Sequence, residues 1–218
     1  MKHPTTKIVI IDYHGGNLAS AQMAIAFACH QINIKVDILI SDNPQDIMEA
    51  DKIILPGQGA FKDCMQGISQ TKNIHQALNY SVSRGTPFLG ICVGMQIMAE
   101  KGLEHDVTLG LGWIEGEVRK MKTHLPLPQM GWNELHFKKG CHPILEGVEP
   151  NSHAYFVHSY ALTHENKKDV LATTDYEMDI PAIVAKDNKI GTQFHVEKSQ
   201  SVGLKIISNF LLWQPSLS

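Results

Sequence analysis

Short apolar runs alternate with amphipathic segments throughout the first half of the chain. The run at 7–12 is almost continuously apolar and ends in a polar, glycine-bearing loop, which is typical of a buried parallel strand. In the next segment, 18–30, apolar residues recur at helical spacing without a proline, and this spacing predicts an amphipathic helix. Similar patterns predict strands at 35–40, 52–55 and 87–91, and helices after Asn43 and over 73–83. This alternation indicates a doubly wound, mostly parallel α/β sheet, in which ligands bind beyond the carboxyl ends of the strands.

The second half of the chain has a different pattern, with short strand-like runs and few helical stretches between them. These runs lie at 113–121, 134–138, 154–161, 170–174, 181–185 and 190–194. We therefore expect antiparallel additions to the sheet in this half. A final amphipathic helix is predicted over 202–213. No linker or internal repeat divides the chain, so the pattern predicts a single α/β domain.

Composition and charge narrow the possible functions. The chain has 218 residues, 43% of them hydrophobic, and a formal net charge of −3. These values are typical of a globular protein without a basic surface for nucleic acid. No apolar stretch approaches the ~20 residues of a membrane span, and the N-terminal residues lack a signal-peptide pattern. We therefore expect a cytoplasmic protein that binds neither nucleic acid nor membranes.

Cysteine and histidine side chains are the commonest zinc ligands, so their spacing indicates whether a metal site is expected. The chain contains four cysteines, Cys29, Cys64, Cys92 and Cys141. They form no C-x-x-C pair, so neither a zinc site nor a disulfide framework is predicted. His153, His158 and His164 lie near one another in sequence, but no Cys/His ligand spacing accompanies them. We therefore expect no metal and no cofactor.

One cysteine has the local sequence of a catalytic nucleophile. Cys92 lies between Gly90 and Gly94, where a predicted buried strand leads into a helix predicted over 95–100. This pattern is typical of a nucleophile elbow, which requires small flanking residues because the strand and helix backbones approach closely. The amide of Val93 would then point at the group that the sulfur attacks, and the helix start would favour the thiolate. The alternative is a buried structural cysteine.

A second segment contains the groups that a cysteine nucleophile needs. A thiolate that attacks an acyl group requires a base that carries the proton to the leaving nitrogen, and the base requires an orienting carboxylate. His195 and Glu197 follow a predicted strand and are two residues apart, so they can lie one behind the other. Alone, this pair could be a loop histidine beside a surface charge. Its combination with Cys92 favours a Cys-His-Glu triad.

These segments resemble the class I (triad) glutamine amidotransferases, whose elbow reads G-x-C-x-G-x-Q and whose other triad residues lie in H-P-E. Within that family the chain is most similar to the HisH-type glutaminase subunits of imidazole glycerol phosphate synthase. The matching segments lie at 11–13, 16–18, 55–61, 90–96, 129–133, 155–160 and 193–199. The elbow and triad identify the superfamily, and P-G-x-G-A-F, M-G-W-N and F-V-H-S-Y identify the subfamily. The resemblance implies a flavodoxin-like fold, with residues 1–218 forming one glutamine amidotransferase domain.

The resemblance also implies the roles of the triad residues. Cys92 would attack the side-chain amide of L-glutamine, His195 would transfer the proton, and Glu197 would orient His195. Ammonia would leave first, and water would then release glutamate from the thioester. Backbone amides would hold the oxyanion. The candidates for this oxyanion hole are the amide of Val93 and one from the turn Gly57-Gln58-Gly59.

Other site residues are implied in the same way. A peptide flip in the Gly57-Gln58-Gly59 turn would complete the oxyanion hole when the synthase partner binds. The alternatives for this turn are an ordinary strand end or a phosphate nest. Gln96 would hold the substrate glutamine. The ammonia exit and partner interface would be bordered by Asn17, Trp132, Asn133, Tyr155 and Lys198, although core packing is an alternative for the two aromatic residues.

The chain departs from the family pattern at three places. Val196 replaces the usual proline between the histidine and the glutamate, which removes a fixed φ angle. Gln58 stands where the family usually has an apolar residue, and His14-Gly15 replaces a small and apolar pair. None of these changes removes a reacting group.

Three functions remain open from the sequence. In the first, the chain forms a heterodimer with a (β/α)₈-barrel cyclase subunit of the HisF type and supplies it with ammonia. That pair would form imidazole glycerol phosphate and AICAR in histidine biosynthesis. In the second, a HisH-like paralogue supplies a sugar-modifying amidotransferase in surface polysaccharide synthesis. The third is a non-glutaminase elbow-cysteine protein of the same broad fold, against which Gln96 and the M-G-W-N and F-V-H-S-Y segments argue.

Overall fold

The chain folds around a central sheet with two smaller sheets beside it. The structure, a computed structural model, describes residues 5–71, 73–163 and 167–215. The strands are β1 (Thr6–Ile11), β2 (Val36–Ser41), β3 (Lys52–Gly57), β4 (Phe88–Cys92), β5 (Ala99–Gly102), β6 (Thr108–Leu109), β7 (Ile114–Lys120), β8 (Gln129–Glu134), β9 (His153–His158), β10 (Tyr160–Thr163), β11 (Val170–Asp175), β12 (Asp179–Lys186) and β13 (Lys189–Thr192). The α-helices are α1 (Leu18–Gln31), α2 (Pro44–Met48), α3 (Phe61–Gln70), α4 (Ile74–Ser83), α5 (Val93–Gln96) and α6 (Gln200–Leu212). Short 3₁₀ helices lie at Pro143–Leu145, Lys167–Asp169 and Val196–Lys198.

The central sheet has seven strands in the order β11-β12-β13-β4-β3-β1-β2. The five strands from β13 to β2 are parallel, and β12 runs antiparallel to both β13 and β11. Every residue of β3 and β4 is buried, as expected for parallel strands that helices cover. Helix α1 packs on α6, and α4 packs on α2 and α3. The prediction of a doubly wound α/β sheet with antiparallel additions is therefore confirmed.

Two smaller sheets are built from strands β5 to β10, within residues 99–163. One contains four strands in the order β10-β7-β5-β6, and the other is the antiparallel pair β8-β9. In this pair Gln129 lies opposite His158, and Trp132 lies opposite Tyr155. None of the helices in the described part of the chain is long and apolar enough to cross a bilayer.

Several predicted boundaries were wrong. The helix predicted over 95–100 is instead the single turn α5, because the backbone of Ile97 to Ala99 pairs with residues 111–113. The strand predicted over 134–138 lies earlier, at β8, and His136 makes only an isolated bridge to Thr173. The run at 154–161 is divided into β9 and β10, which belong to different sheets. Helix α3 was not predicted, although its buried residues Phe61, Cys64, Met65 and Ile68 recur at helical spacing.

Candidate active site

Cys92 has the backbone conformation of a nucleophile elbow. It is the last residue of β4, immediately precedes α5, and has φ 54° and ψ −111°. A positive φ is uncommon for a residue with a side chain and costs about 1–3 kcal/mol, so the surrounding packing must maintain it. The elbow geometry expected from the sequence is therefore present in the fold.

The glycines around Cys92 leave no room for side chains. A Cβ on Gly90 would lie 2.5 Å from the carbonyl oxygen of Gly94. A Cβ on Gly94 would collide with the carbonyl oxygen of Leu55, and one on Gly57 would collide with the amide of Gly94. Strands β3 and β4 and helix α5 therefore meet in backbone-to-backbone contact, which fixes the direction of the Cys92 side chain.

His195 and Glu197 complete the predicted arrangement. His195 Nδ1 lies 2.8 Å from Glu197 Oε1, and the two side chains are only 6% and 2% exposed. His195 also hydrogen-bonds Cys92. Because Nδ1 faces Glu197, the other ring nitrogen, Nε2, is the one available to Cys92. The structure thus brings Cys92, His195 and Glu197 into one hydrogen-bonded chain.

The surroundings of His195 change its proton affinity. Burial alone lowers the pKa of His195, but the hydrogen bonds and charges of Cys92 and Glu197 outweigh burial and raise the pKa from 6.5 to about 9. A histidine with this pKa carries a proton at neutral pH. It can therefore pair with a cysteine thiolate and later give the proton to a leaving group.

Val196 does not disturb this arrangement. It is buried at the start of the 3₁₀ turn that contains Glu197. Ser199 stabilises the turn, because its hydroxyl donates to the carbonyl oxygen of His195 over 2.6 Å. The amide of His195 also donates to the carbonyl oxygen of Tyr155 over 3.0 Å. These bonds supply constraints that a proline would otherwise provide.

A buried glutamine beside Cys92 was missed by the sequence analysis. Gln193 Nε2 lies 3.8 Å from Cys92 Sγ, and Gln193 Oε1 accepts a hydrogen bond from Gln96 Nε2 over 3.1 Å. Gln96 Nε2 also donates to the carbonyl oxygen of Tyr160 over 2.8 Å. Gln96 therefore lies in the site as expected. Gln193 is two residues before His195 on an extended segment, and this alternation could have indicated it.

An open cleft of about 320 Å³ lies in front of Cys92. Of the predicted residues, it is lined by Gln58, Gly59, Cys92, Val93, Gln96, His195 and Lys198. Its other lining residues, which were not predicted for the site, are Glu104, Pro128, Val157, His158, Ser159 and Tyr160. A cleft of this size can admit a small amino-acid substrate beside the sulfur.

Two of these additional residues have distinctive chemistry. Glu104 places a carboxylate at the cleft, where its Oε2 accepts a hydrogen bond from the Phe61 amide over 2.9 Å. His158 Nδ1 lies 3.0 Å from the carbonyl oxygen of Tyr160, so Nδ1 carries the proton. Burial lowers the pKa of His158 to about 4, and its Nε2 has no partner among the described residues. His158 is therefore a neutral acceptor.

The other residues predicted at the exit do not line the cleft. Trp132 is 44% exposed and makes an edge-on ring contact with Tyr155, with centroids 5.8 Å apart. Trp132 is thus not a core residue. Asn133 accepts a hydrogen bond from Gln129 Nε2 over 3.1 Å, and Asn17 caps the start of α1 by position.

Among the described residues, no three His, Cys, Asp or Glu side chains are grouped in a way that could hold a metal ion. His164, which lies near His153 and His158 in sequence, is outside the described residues. Cys29, Cys64, Cys92 and Cys141 are all free thiols.

The sequence matches the family described as glutamine amidotransferase class-I over residues 9–213. The chain belongs to this family. The family predicted from the elbow and the triad segments is therefore confirmed.

Relatives narrow the type of amidotransferase. The chain is 53% identical over 211 residues to the imidazole glycerol phosphate synthase subunit HisH of Gluconobacter oxydans. The aligned region covers 95% of this chain and 99% of that protein. It is 50% identical over 216 residues to the HisH subunit of Brucella abortus, and the aligned region covers 96% of this chain and 100% of that subunit. The amidotransferase is therefore of the HisH type, and it is an enzyme of the glutamine amidotransferase class.

Solved structures agree on the fold. A chain in the structure of PurLQS from Thermotoga maritima has a TM-score of 0.70 to the amidotransferase at 18% identity, covering 95% of this chain and 98% of that one. The flavodoxin-like fold expected from the resemblance is confirmed.

We expect Gly94→Ala to lower the free energy of unfolding by about 3 kcal/mol or more, because the new Cβ meets backbone rather than a movable side chain. Gly140→Ala is the matched control: Gly140 has φ +77° and no neighbouring atom within 4 Å of a Cβ, so only backbone strain of about 1–2 kcal/mol is expected. Urea denaturation of both variants measures the difference. Equal losses would contradict the close packing at the elbow.

We expect Glu197→Gln to lower the pKa of His195, since it removes a charge and a hydrogen bond that raise it. The folded chain binds this proton more tightly than the unfolded chain. In the wild-type chain, this proton therefore stabilises the folded state fully below pH 6.5, and the stabilisation is lost as the pH rises through about 9. NMR titration of His195 in Glu197→Gln, with exposed Glu115→Gln as control, measures the shift. An unchanged His195 pKa would show that Glu197 does not act on the imidazole.

Proposed function

We propose that the chain, as one amidotransferase domain over residues 1–218, hydrolyses L-glutamine to glutamate and ammonia. The ammonia would pass to a (β/α)₈-barrel cyclase subunit of the HisF type, which forms imidazole glycerol phosphate and AICAR in histidine biosynthesis. The observation that carries this proposal is the hydrogen-bonded chain from Cys92 through His195 to Glu197 at a cleft, in an amidotransferase of the HisH type.

The proposed chemistry begins with the Cys92 thiolate, which attacks the amide carbon of glutamine. The C–N bond breaks as His195 gives its proton to the leaving nitrogen, and ammonia departs. His195, now neutral, takes a proton from water, whose oxygen attacks the thioester and releases glutamate. Glu197 holds the imidazole by Nδ1 throughout. The Val93 amide, directly after Cys92, stabilises the oxyanion in this proposal.

Substrate recognition is proposed for Glu104 and Gln96, which line the cleft, and for Gln193, which lies 3.8 Å from Cys92 Sγ. The α-ammonium group of glutamine needs an acidic partner, and Glu104 places a carboxylate in the lining. Gln96 also lines the cleft, and its Nε2 donates hydrogen bonds to Gln193 Oε1 and to the carbonyl oxygen of Tyr160. We propose that Gln96 and Gln193 together position the substrate side chain beside the sulfur.

A partner subunit is implied by the HisH type, because its relatives are named as subunits of a synthase. Met130 and Trp132 are two residues apart in β8, so their side chains lie on the same face of the strand, where they are 64% and 44% exposed. Tyr155 lies across from Trp132 on the same face. Exposed apolar side chains of this kind favour burial against another protein. We propose that this face, with Asn17, Asn133 and Lys198, contacts the cyclase and borders the ammonia exit.

We expect Cys92→Ala to abolish glutamine hydrolysis and to leave the fold intact, because Cys92 is the only thiol among the described residues that line the cleft. Cys141→Ala, at an exposed cysteine, is the matched control and keeps full activity. A glutamine-analogue electrophile followed by peptide mass spectrometry identifies the labelled residue. Labelling at Cys29, Cys64 or Cys141 in place of Cys92 would refute the assignment.

We expect the isolated chain to hydrolyse glutamine slowly and the cyclase with its bound nucleotide substrate to raise kcat by ~10²–10³, the effect of one oxyanion donor. The assay measures turnover of the chain alone, with the cyclase, and with cyclase plus substrate. Full activity of the chain alone would contradict activation by the partner. Activation only by a sugar-modifying synthase would instead assign the chain a role in surface polysaccharide synthesis.

A further inference from the structure

One candidate oxyanion donor is bound elsewhere in this structure. The backbone N–H of Gln58 donates to the hydroxyl oxygen of Tyr13 over 3.3 Å. Gln58 and Gly59 line the cleft, whereas Tyr13 is not among the lining residues. The Gln58 amide therefore points away from the space where an oxyanion would form on a substrate bound at Cys92.

The Tyr13 hydroxyl is a fixed acceptor. Tyr13 is only 4% exposed, and its hydroxyl also hydrogen-bonds the buried thiol of Cys64. Burial raises the pKa of Tyr13, and burial also raises the pKa of Cys64, to about 12, so both groups stay protonated at neutral pH. With the hydroxyl proton directed at the Cys64 sulfur, an oxygen lone pair remains for Gln58.

The backbone around Gln58 permits rotation of its amide. Turning the Gly57–Gln58 peptide changes ψ of Gly57 and φ of Gln58, and glycine tolerates almost any ψ. Gly59 has φ +84°, and no atom lies within 4 Å of the position of a Cβ there. Gly57 itself is packed against Gly94, next to the elbow. The peptide can therefore turn while its N-terminal anchor stays in place.

We propose that Tyr13 is a positioning residue whose hydroxyl holds the Gln58 amide out of the oxyanion hole until a partner subunit binds. This inference rests on the proposed glutaminase function and adds to it the group that restrains the isolated chain. Release of this single hydrogen bond frees the amide to turn toward the substrate.

The loop that contains Tyr13 connects this bond to the proposed partner surface. Tyr13 and Asn17 belong to the same connection between β1 and α1. Within that connection, Gly16 packs closely on Pro56 near the end of β3. A Cβ at Gly16 would lie 2.7 Å from the carbonyl oxygen of Pro56 and 3.4 Å from the Tyr13 hydroxyl oxygen. A partner that seats on Asn17 would therefore shift the Tyr13 loop against the Gln58 turn.

The decisive variant is Tyr13→Phe, which removes the hydroxyl and keeps the ring that fills the core. We expect kcat of the isolated chain to rise roughly three- to tenfold, the range for loss of one hydrogen bond that stabilises the resting state. The KM for glutamine and kcat in the complex with cyclase and its substrate should stay within about twofold of wild type, because the amide is already turned there. Tyr80→Phe, at a half-exposed tyrosine, is the matched control and should change nothing.

A second measurement separates the oxyanion hole from the nucleophile. Alkylation of Cys92 by iodoacetamide requires the thiolate and no oxyanion donor, so its rate in Tyr13→Phe should equal that of wild type. Alkylation that rises in proportion to turnover would place the effect on the sulfur and overturn the proposal. A kcat of isolated Tyr13→Phe at or below wild type, in a folded protein whose wild-type complex is active, would also overturn it.

The proposed function fails separately. If the wild-type complex with cyclase and its substrate does not hydrolyse glutamine, the glutaminase assignment is wrong and the role of Tyr13 falls with it. An active wild-type complex combined with an unchanged Tyr13→Phe rejects only the role of Tyr13.

Discussion

The close approach of three backbones at Cys92 is the constraint on which the rest of the site depends. Strands β3 and β4 run parallel at the centre of the sheet, and α5 begins at the residue after Cys92. Gly57, Gly90 and Gly94 permit this approach, which holds Cys92 at φ 54°. The same contact determines the direction of the Cys92 side chain, the position of the Val93 amide and the position of the Gln58 turn. A side chain at any of the three glycines would move all of them together.

Burial gives the site its electrostatic character. A histidine removed from water ordinarily loses proton affinity, as His158 does at the same cleft. His195 is also buried, yet it gains proton affinity because Glu197 and Cys92 bond both of its nitrogens. Burial thus lowers the pKa of His158, whereas the hydrogen bonds and charges of its neighbours raise the pKa of His195. The difference suits one to carry a proton and the other to accept hydrogen bonds without charge.

The features predicted from the sequence were those with a local cause. The spacing of Gly90, Cys92 and Gly94 encodes the elbow directly, and His195 with Glu197 needs only a short turn to meet. The length of α5 was not predictable in this way, because distant residues 111–113 pair with the backbone that follows it. Glu104 and His158 were missed for the same reason, since only the smaller sheets and their loops bring them to the cleft. The bond between Tyr13 and Gln58 joins loops after two different strands, and no periodicity signals it.

The strand pair β8-β9, which we propose contacts the partner, shares hydrogen bonds with the segment that contains His195, and these bonds give a physical route between the two. The carbonyl oxygen of Tyr155 accepts the amide of His195 over 3.0 Å, while the Tyr155 amide donates to Ser199 Oγ over 3.0 Å. Ser199 in turn donates to the carbonyl oxygen of His195 over 2.6 Å. Any displacement of β9 by a subunit seated on Trp132 must therefore be transmitted to the His195 backbone or break these bonds. The β1–α1 connection packs through Gly16 on Pro56, directly before the Gly57-Gln58-Gly59 turn. A subunit that spans both surfaces would act at once on His195, the proposed base, and on Gln58, the proposed oxyanion donor, so one binding event would position both groups.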